Sequence, residues 1–307
     1  MKWKKLGKIF SVDDLNYYWM NSHAMMPVVE QIDENIFRIY FSPRDNRNRS
    51  RCASIDLDIF QMSLSNLSKV PILDLGDLGS FDDSGVMPTS IVSYEGKKYL
   101  YYNGWTLGKN IPFFSFNGVA ISEDGGNSFK KLGRYPTALN RNEIDPFSTF
   151  APFVIKEEDK WRMWYVSLVK WVKKEELTHF YNIKYAESDD GINWKREGVV
   201  AIDFADKYEY AIARPCVLYD KGIYKMWYSY RASRENKTYR IGYAESEKGI
   251  SWVRKDKEAG INVSEDGWDS EMICYSFVFD HKCNRYMLYN GNGYGKTGIG
   301  LAVLEDD

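Results

Sequence analysis

Short apolar runs alternate with polar turn segments along the chain, and one strand pattern recurs five times. Its copies are Phe37-Arg-Ile-Tyr-Phe41, Tyr99-Leu-Tyr-Tyr102, Trp161-Arg-Met-Trp-Tyr165, Tyr224-Lys-Met-Trp-Tyr228 and Tyr286-Met-Leu-Tyr289. The closing aromatics are separated by 61, 63, 63 and 61 residues, a fixed period that marks a repeat architecture. An apolar run precedes each copy, often around a proline: Met25-Met-Pro-Val-Val29, Val86-Met-Pro-Thr-Ser-Ile-Val92, Phe150-Ala-Pro-Phe-Val154, Ala213-Arg-Pro-Cys-Val217 and Met272-Ile-Cys-Tyr-Ser-Phe-Val278. Each of these runs predicts an innermost strand. A third strand and a turn follow in the middle copies: Val119 to Phe129, Lys184 to Trp194 and Gly242 to Trp252. The Ser, Asp and Gly of those turns bond the backbone and accept positive φ, so they read as hairpin chemistry despite their acidic look.

The chain ends on a third strand, Gly298-Ile-Gly-Leu-Ala-Val303, while Trp3-Lys-Lys-Leu-Gly7 copies the fourth strands Phe129-Lys-Lys-Leu-Gly133 and Trp194-Lys-Arg-Glu-Gly198. The expectation is an all-β, five-bladed β-propeller with four antiparallel strands per blade, closed by the N-terminal strand completing the last blade, which protects the sheet edges. A single domain spans 1–307, with blades near 20–75, 82–134, 145–200, 209–257 and 268–307 plus 1–8. A β-sandwich gives no reason for the period or for the displaced fourth strand.

Composition narrows the function. With 307 residues, 44% hydrophobic and 27% charged, the chain can bury a core. The net charge of −2 argues against a nucleic-acid partner or a membrane-surface field. No apolar stretch nears the ~20 residues of a membrane span, and no export signal follows Met1, so a cytoplasmic location is expected. Four cysteines without a CxxC pair and three histidines do not make a zinc site. Metal is not demanded, though an axial Ca²⁺ suits such rings. The 16% aromatic content favours strands and sugar-stacking surfaces.

One predicted face carries short charged turns. The other carries the loops 43–51, 103–117, 168–182, 230–240 and 290–298, which hold 13 basic residues against four acidic ones. That bias predicts an anion-attracting rim. Upstream of the inner strands stand Asn21-Ser-His23, Asp82-Asp83, Asp145, Glu209 and Asp269-Ser-Glu271. Carboxylates converging on the axis would repel, raise a pKa and supply the acid and base of glycoside cleavage.

Five blades, axial acids and the Ser-Asp-Asp-Gly-Ile-Asn-Trp turn ending at Trp194 resemble the five-bladed glycosidases and glycoside phosphorylases of families 43, 32, 62, 68 and 130. The segments Tyr40 to Ser50, Asp82 to Pro88, Glu209 to Pro215 and Gly267 to Cys274 are similar to glycosidase-like propellers encoded among bacterial surface-polysaccharide genes. Two departures bear on the site. Families 43 and 32 put an Asp in the first blade, where this chain has Asn21, Ser22 and His23. Family 43 puts a catalytic Glu where this chain reads Ala213-Arg214-Pro215. The expected acid/base or nucleophile pair is therefore Asp83 and Glu271, with Glu209 and His23 as further catalytic candidates. Asp82, Asp145, Asp269, Arg44, Arg214, Trp105 and Tyr294 are the expected substrate-binding residues. The resemblance implies a carbohydrate-active enzyme of bacterial polysaccharide metabolism that acts on a glycosidic bond, with a saccharide or phosphate-bearing sugar as ligand and no required cofactor. The alternative is a non-catalytic glycan-binding propeller.

Overall fold

The computed structural model describes residues 1–173, 175–231 and 238–305. After β1 (Trp3–Phe10), the first unit comprises β2 (Ser22–Gln31), β3 (Ile36–Arg44), β4 (Ala53–Asp58) and β5 (Ser63–Ser65). The second comprises β6 (Gly85–Tyr94), β7 (Lys97–Leu107), β8 (Phe113–Ser122) and β9 (Lys130–Lys131). β10 (Thr149–Lys156), β11 (Trp161–Lys173), β12 (Leu177–Ser188) and β13 (Lys195–Ile202) form the third. β14 (Ala211–Asp220), β15 (Ile223–Arg231), β16 (Arg240–Ser246) and β17 (Val253–Arg254) form the fourth, and β18 (Cys274–His281), β19 (Asn284–Asn290) and β20 (Ile299–Leu304) belong to the last. Within every unit successive strands pair antiparallel.

β1 pairs antiparallel with β20, with Trp3 opposite Leu304 and Gly7 opposite Leu301, so the first and last segments share one sheet. The innermost strands β2, β6, β10, β14 and β18 pack each against the next, and β18 packs against β2. The closing aromatics of the repeat, Phe41, Tyr102, Tyr165, Tyr228 and Tyr289, are all fully buried, each apolar ring contributing about 2–3 kcal/mol by leaving water. Tight hairpins need left-handed backbone at both central positions. Glu95 and Gly96, between β6 and β7, have φ of 48° and 74°, the primed-turn geometry that matches strand twist. Among the described residues no helix is long and apolar enough to cross a membrane.

All five innermost strands carry a bulge near their starts. Pairing steps from Met25↔Ser42 to Val28↔Tyr40 in β2, from Phe150↔Val166 to Phe153↔Trp164 in β10, and from Ala213↔Ser229 to Cys216↔Trp227 in β14. It steps likewise from Cys274↔Asn290 to Phe277↔Leu288 in β18 and from Pro88↔Tyr102 to Ser90↔Tyr101 in β6. One extra residue at each of these steps re-aims the local side chains, and β2 has a second such shift between Ser22 and Met25. Met26, Ala151, Arg214 and Tyr275 occupy these bulges at φ of 54°, 40°, 56° and 56°. Non-glycine residues rarely adopt such angles unless the surrounding structure holds them there.

Candidate functional site

The starts of the inner strands, at or beside these bulges, line one cavity of about 440 Å³, the size of a small-molecule pocket. Corresponding positions from the five inner strands, Met26, Met87, Ala151, Arg214 and Tyr275, all line it. Units two and three add Trp105, Phe113, Phe150 and Val166, whereas units four, five and one add Arg231, Tyr239, Tyr294, Arg44 and Asn48. Asn103, Ser115, His179 and Tyr181 of units two and three line it as well, so the wall joins apolar and aromatic surface to guanidinium, phenol, amide and imidazole groups.

No described residue lining this cavity is a carboxylate, so the acids expected at the axis are not among its described lining. Asp82, Asp145, Glu209 and Asp269 are 1%, 0%, 3% and 2% exposed and are bound within their own units. Asp82 accepts from the Tyr102 hydroxyl at 3.2 Å and pairs with Lys131 at 2.6 Å. Asp145 accepts from the hydroxyls of Tyr165 at 2.9 Å and Ser167 at 2.6 Å, and pairs with Lys184 at 3.0 Å and Arg196 at 2.9 Å. Asp269 pairs with Lys5 at 2.7 Å and accepts from Tyr289 at 3.1 Å. Glu209 receives two contacts from Arg254, at 2.6 and 2.8 Å, while the Tyr228 hydroxyl turns to Asp256.

The arrangement is one device used four times. The acid before the inner strand meets a cation from the outermost strand, and the repeat tyrosine stands beside them. Each cation follows a turn aromatic by two residues: Phe129 and Lys131, Trp194 and Arg196, Trp252 and Arg254, Trp3 and Lys5. Burial alone would raise the Asp145 carboxyl, yet Ser167 and Lys184 hold it below its ordinary value. A buried charge in this setting must stay paired, so these carboxylates latch the sheets.

Asp83 and Glu271 also stand outside the cavity lining. Burial of Asp83 is outweighed by the Gly79 amide and the Thr106 and Ser84 hydroxyls, which hold it below the usual carboxylate range. That makes Asp83 a stable anion rather than a proton donor. Glu271 is exposed, and its backbone is held by the Asn292 side chain at 2.8 Å and by Arg240 at 3.0 Å.

Arg44, Arg214, Trp105 and Tyr294, expected to bind substrate, do line the cavity. Arg214 is fully buried and spans from unit four to the carbonyls of Thr89 and Pro27 (the latter at 3.0 Å). Burial lowers it to about 10. Tyr294 accepts from Arg231 at 2.6 Å, and Trp105 donates to Ser50 at 2.9 Å. His23, bonded to Ser22 at 2.8 Å, is lowered to about 4 by burial and by the charges of Arg44 and Lys296. A divalent cation in this guanidinium-lined space would be repelled. No cluster of three or more His, Cys, Asp or Glu that could hold a metal occurs among the described residues.

The site residues that sequence reasoning did not single out are Arg231, Tyr275, Tyr239, Tyr181 and His179. Tyr275 was findable, because it holds the position in β18 that Arg214 holds in β14. Within the predicted basic rim, Arg49 and Arg51 are neutralised by Asp45 at 2.8 and 2.9 Å. Lys174, Arg234, Glu235 and Lys237 lie outside the described residues.

No family model matches the sequence. Two curated Mycobacterium tuberculosis proteins, "Uncharacterized protein MT1551" and "Uncharacterized protein Rv1502", are each 44% identical over 308 residues, covering 100% of both chains. Among solved structures, one described as "Glycoside hydrolase" aligns with TM-score 0.77 at 16% identity, over 99% of this chain and 92% of its own. A glycosyl hydrolase from Bacteroides ovatus aligns with TM-score 0.71 at 14% identity, over 96% and 90%. A thermostable family-43 glycoside hydrolase gives 0.69 at 19%, over 95% and 93%. At such identities the likeness is one of fold.

Proposed function

Because this chain belongs to the family of the two Mycobacterium tuberculosis proteins and carries the fold of family-43-type glycoside hydrolases, we propose that it is a carbohydrate-active protein holding a saccharide in the central cavity. The five units are taken as the blades of one closed propeller spanning 1–307, with β1 completing the fifth. One observation carries the reading: inner strands of all five units contribute to a single cavity that joins aromatic surface to guanidinium and phenol donors. Sugars present apolar C–H faces and polar edges, and sites for them combine stacking rings with a few fixed polar groups. The guanidinium lining suits an anionic or phosphate-bearing sugar. With bacterial relatives, a surface glycan or its precursor is the expected source.

Recognition without cleavage is favoured over hydrolysis by the absence of carboxylates among the described lining residues, since glycoside cleavage ordinarily uses two flanking carboxyl groups. Kinship of fold supports a second reading, in which Asp83 and Glu271, on the connections into β6 and β18, act as the acid/base pair. A binding and hydrolysis screen across a glycan panel, run on wild type, Trp105→Ala, Asp83→Asn and Glu271→Gln, separates the two. The expected result is saccharide binding that Trp105→Ala weakens and the two acid variants leave intact, with no turnover. Wild-type cleavage abolished by either acid variant would establish the second reading, and failure of every saccharide to bind would remove both.

A further inference from the structure

Three arginines, Arg44, Arg214 and Arg231, line the cavity, and no described lining residue is a carboxylate. Arg44 donates to Asn48 at 2.8 Å, and Arg231 donates to the hydroxyls of Tyr210 at 3.2 Å and Tyr294 at 2.6 Å. Arg214 spends its two terminal nitrogens on carbonyls. None of the three has a carboxylate partner among the described residues, and the buried Nε of each has no hydrogen-bond partner there. Gathering partly buried cations without carboxylate partners sets up mutual repulsion that a bound anion would relieve. Tyr275 lines the cavity with these arginines and stands in the electrostatic field of all three. Trp105, Phe113 and Phe150, with Met87 and Val166, supply apolar surface to the same lining, beside the polar Asn103, Ser115, His179 and Tyr181.

We propose that this lining sets both the class and the orientation of the ligand: an acidic saccharide whose oxyanion, carboxylate or phosphoryl, docks on Arg44, Arg231 and Tyr275. Its apolar ring face or a methyl-bearing substituent lies on Trp105, Phe113 and Phe150. Arg214 acts from beneath as a strut, tied to backbone carbonyls, that contributes field rather than a free fork. This inference rests on the saccharide reading for the ring but not for the anion, so the two can fail separately.

The test is titration calorimetry of the full-length protein with inorganic phosphate, and with matched neutral, uronic-acid and phosphorylated monosaccharides. Acidic sugars are expected to bind about tenfold or more tightly than their neutral counterparts, with affinity falling as salt rises. Arg44→Gln and Arg231→Gln each weaken acidic sugars and inorganic phosphate by about tenfold or more. Tyr275→Phe, which removes one hydroxyl and preserves the ring, produces a smaller loss and keeps the test alive if an arginine variant does not fold. Trp105→Ala weakens acidic sugars while leaving inorganic phosphate unchanged, and comparison of uronic acids with sugar phosphates identifies which oxyanion the site takes. Neutral sugars binding as tightly as acidic ones, or anion affinity unchanged in the arginine and Tyr275 variants, overturns the inference while the saccharide reading survives. Arginine-dependent phosphate binding with no sugar bound overturns the saccharide reading and leaves the anion pole standing. Binding of nothing overturns both.

Discussion

His23 and His179 illustrate how a cationic cavity acts on its neighbours. Both imidazoles are lowered to about 4, chiefly by burial, with Arg44 and Lys296 adding to it at His23 and Arg231 at His179. In the unfolded chain they titrate near about 6.5. Between these values the unfolded state binds protons that the folded state refuses, so this contribution to stability is complete above about 6.5 and is lost as pH falls toward 4. Thermal melts from pH 7 down to pH 5.5, a range above most carboxylate titration, are expected to show a falling Tm. His179→Gln and His23→Asn should each flatten that fall, asparagine tolerating the left-handed backbone at position 23 (φ 63°). A slope identical to wild type in both variants would contradict the assignment. Asp83 shows the opposite case, a carboxylate stabilised as an anion by an amide and two hydroxyls, and so poorly suited to donate a proton at neutral pH.

The latch makes the element scale testable. The sheets are tied edge to centre by a buried acid and a cation from the outermost strand, and Asp145 is the most enclosed instance, bound by Lys184, Arg196, Tyr165 and Ser167. Asp145→Ala strands two cations and is expected to cost about 3–5 kcal/mol, read as a drop in the denaturation midpoint. Exposed Glu271, changed to Gln, should leave that midpoint unmoved. Equal effects from the two substitutions would remove the distinction between latch and loop acids. The hairpin turns obey a simpler rule. Ser188 Oγ accepts from the Gly191 amide at 3.0 Å, and Asp190 accepts from the amides of Ile192 at 2.8 Å and Asn193 at 2.7 Å. Gly191 takes φ of 74° with Trp161 and the Tyr101 hydroxyl against its Cα, so a Cβ there meets both strain and contact.

For the whole molecule, pairing of β1 with β20 decides how the chain is held together, because the segment most distant in sequence completes the last sheet. Removing residues 1–10 leaves β20 with an open edge and uncovers Trp227, against which Trp3 packs at 6.2 Å. The expected consequence is a lower melting temperature with self-association on a sizing column, and a monomeric truncation with unaltered melting would contradict it. The repeat, the strand order and this displaced strand were legible beforehand, because period, alternation and turn chemistry are local properties that each copy states again. The surroundings of the predicted acids were not legible, for an equally physical reason. Asp82, Asp145, Glu209 and Asp269 precede their inner strands as axial acids would, but whether such a side chain meets the axis or a cation depends on partners 39 to 264 residues away. Aromatic-x-cation spacing was the available clue, and it acquires meaning once the outermost strand is seen beside the acid. By itself, then, the sequence determined the repeating β-architecture and which residue types each turn required. Tertiary structure alone decided which charges are cancelled and which are left facing an empty space, since pairing between charges is a matter of distance and burial that no linear pattern encodes.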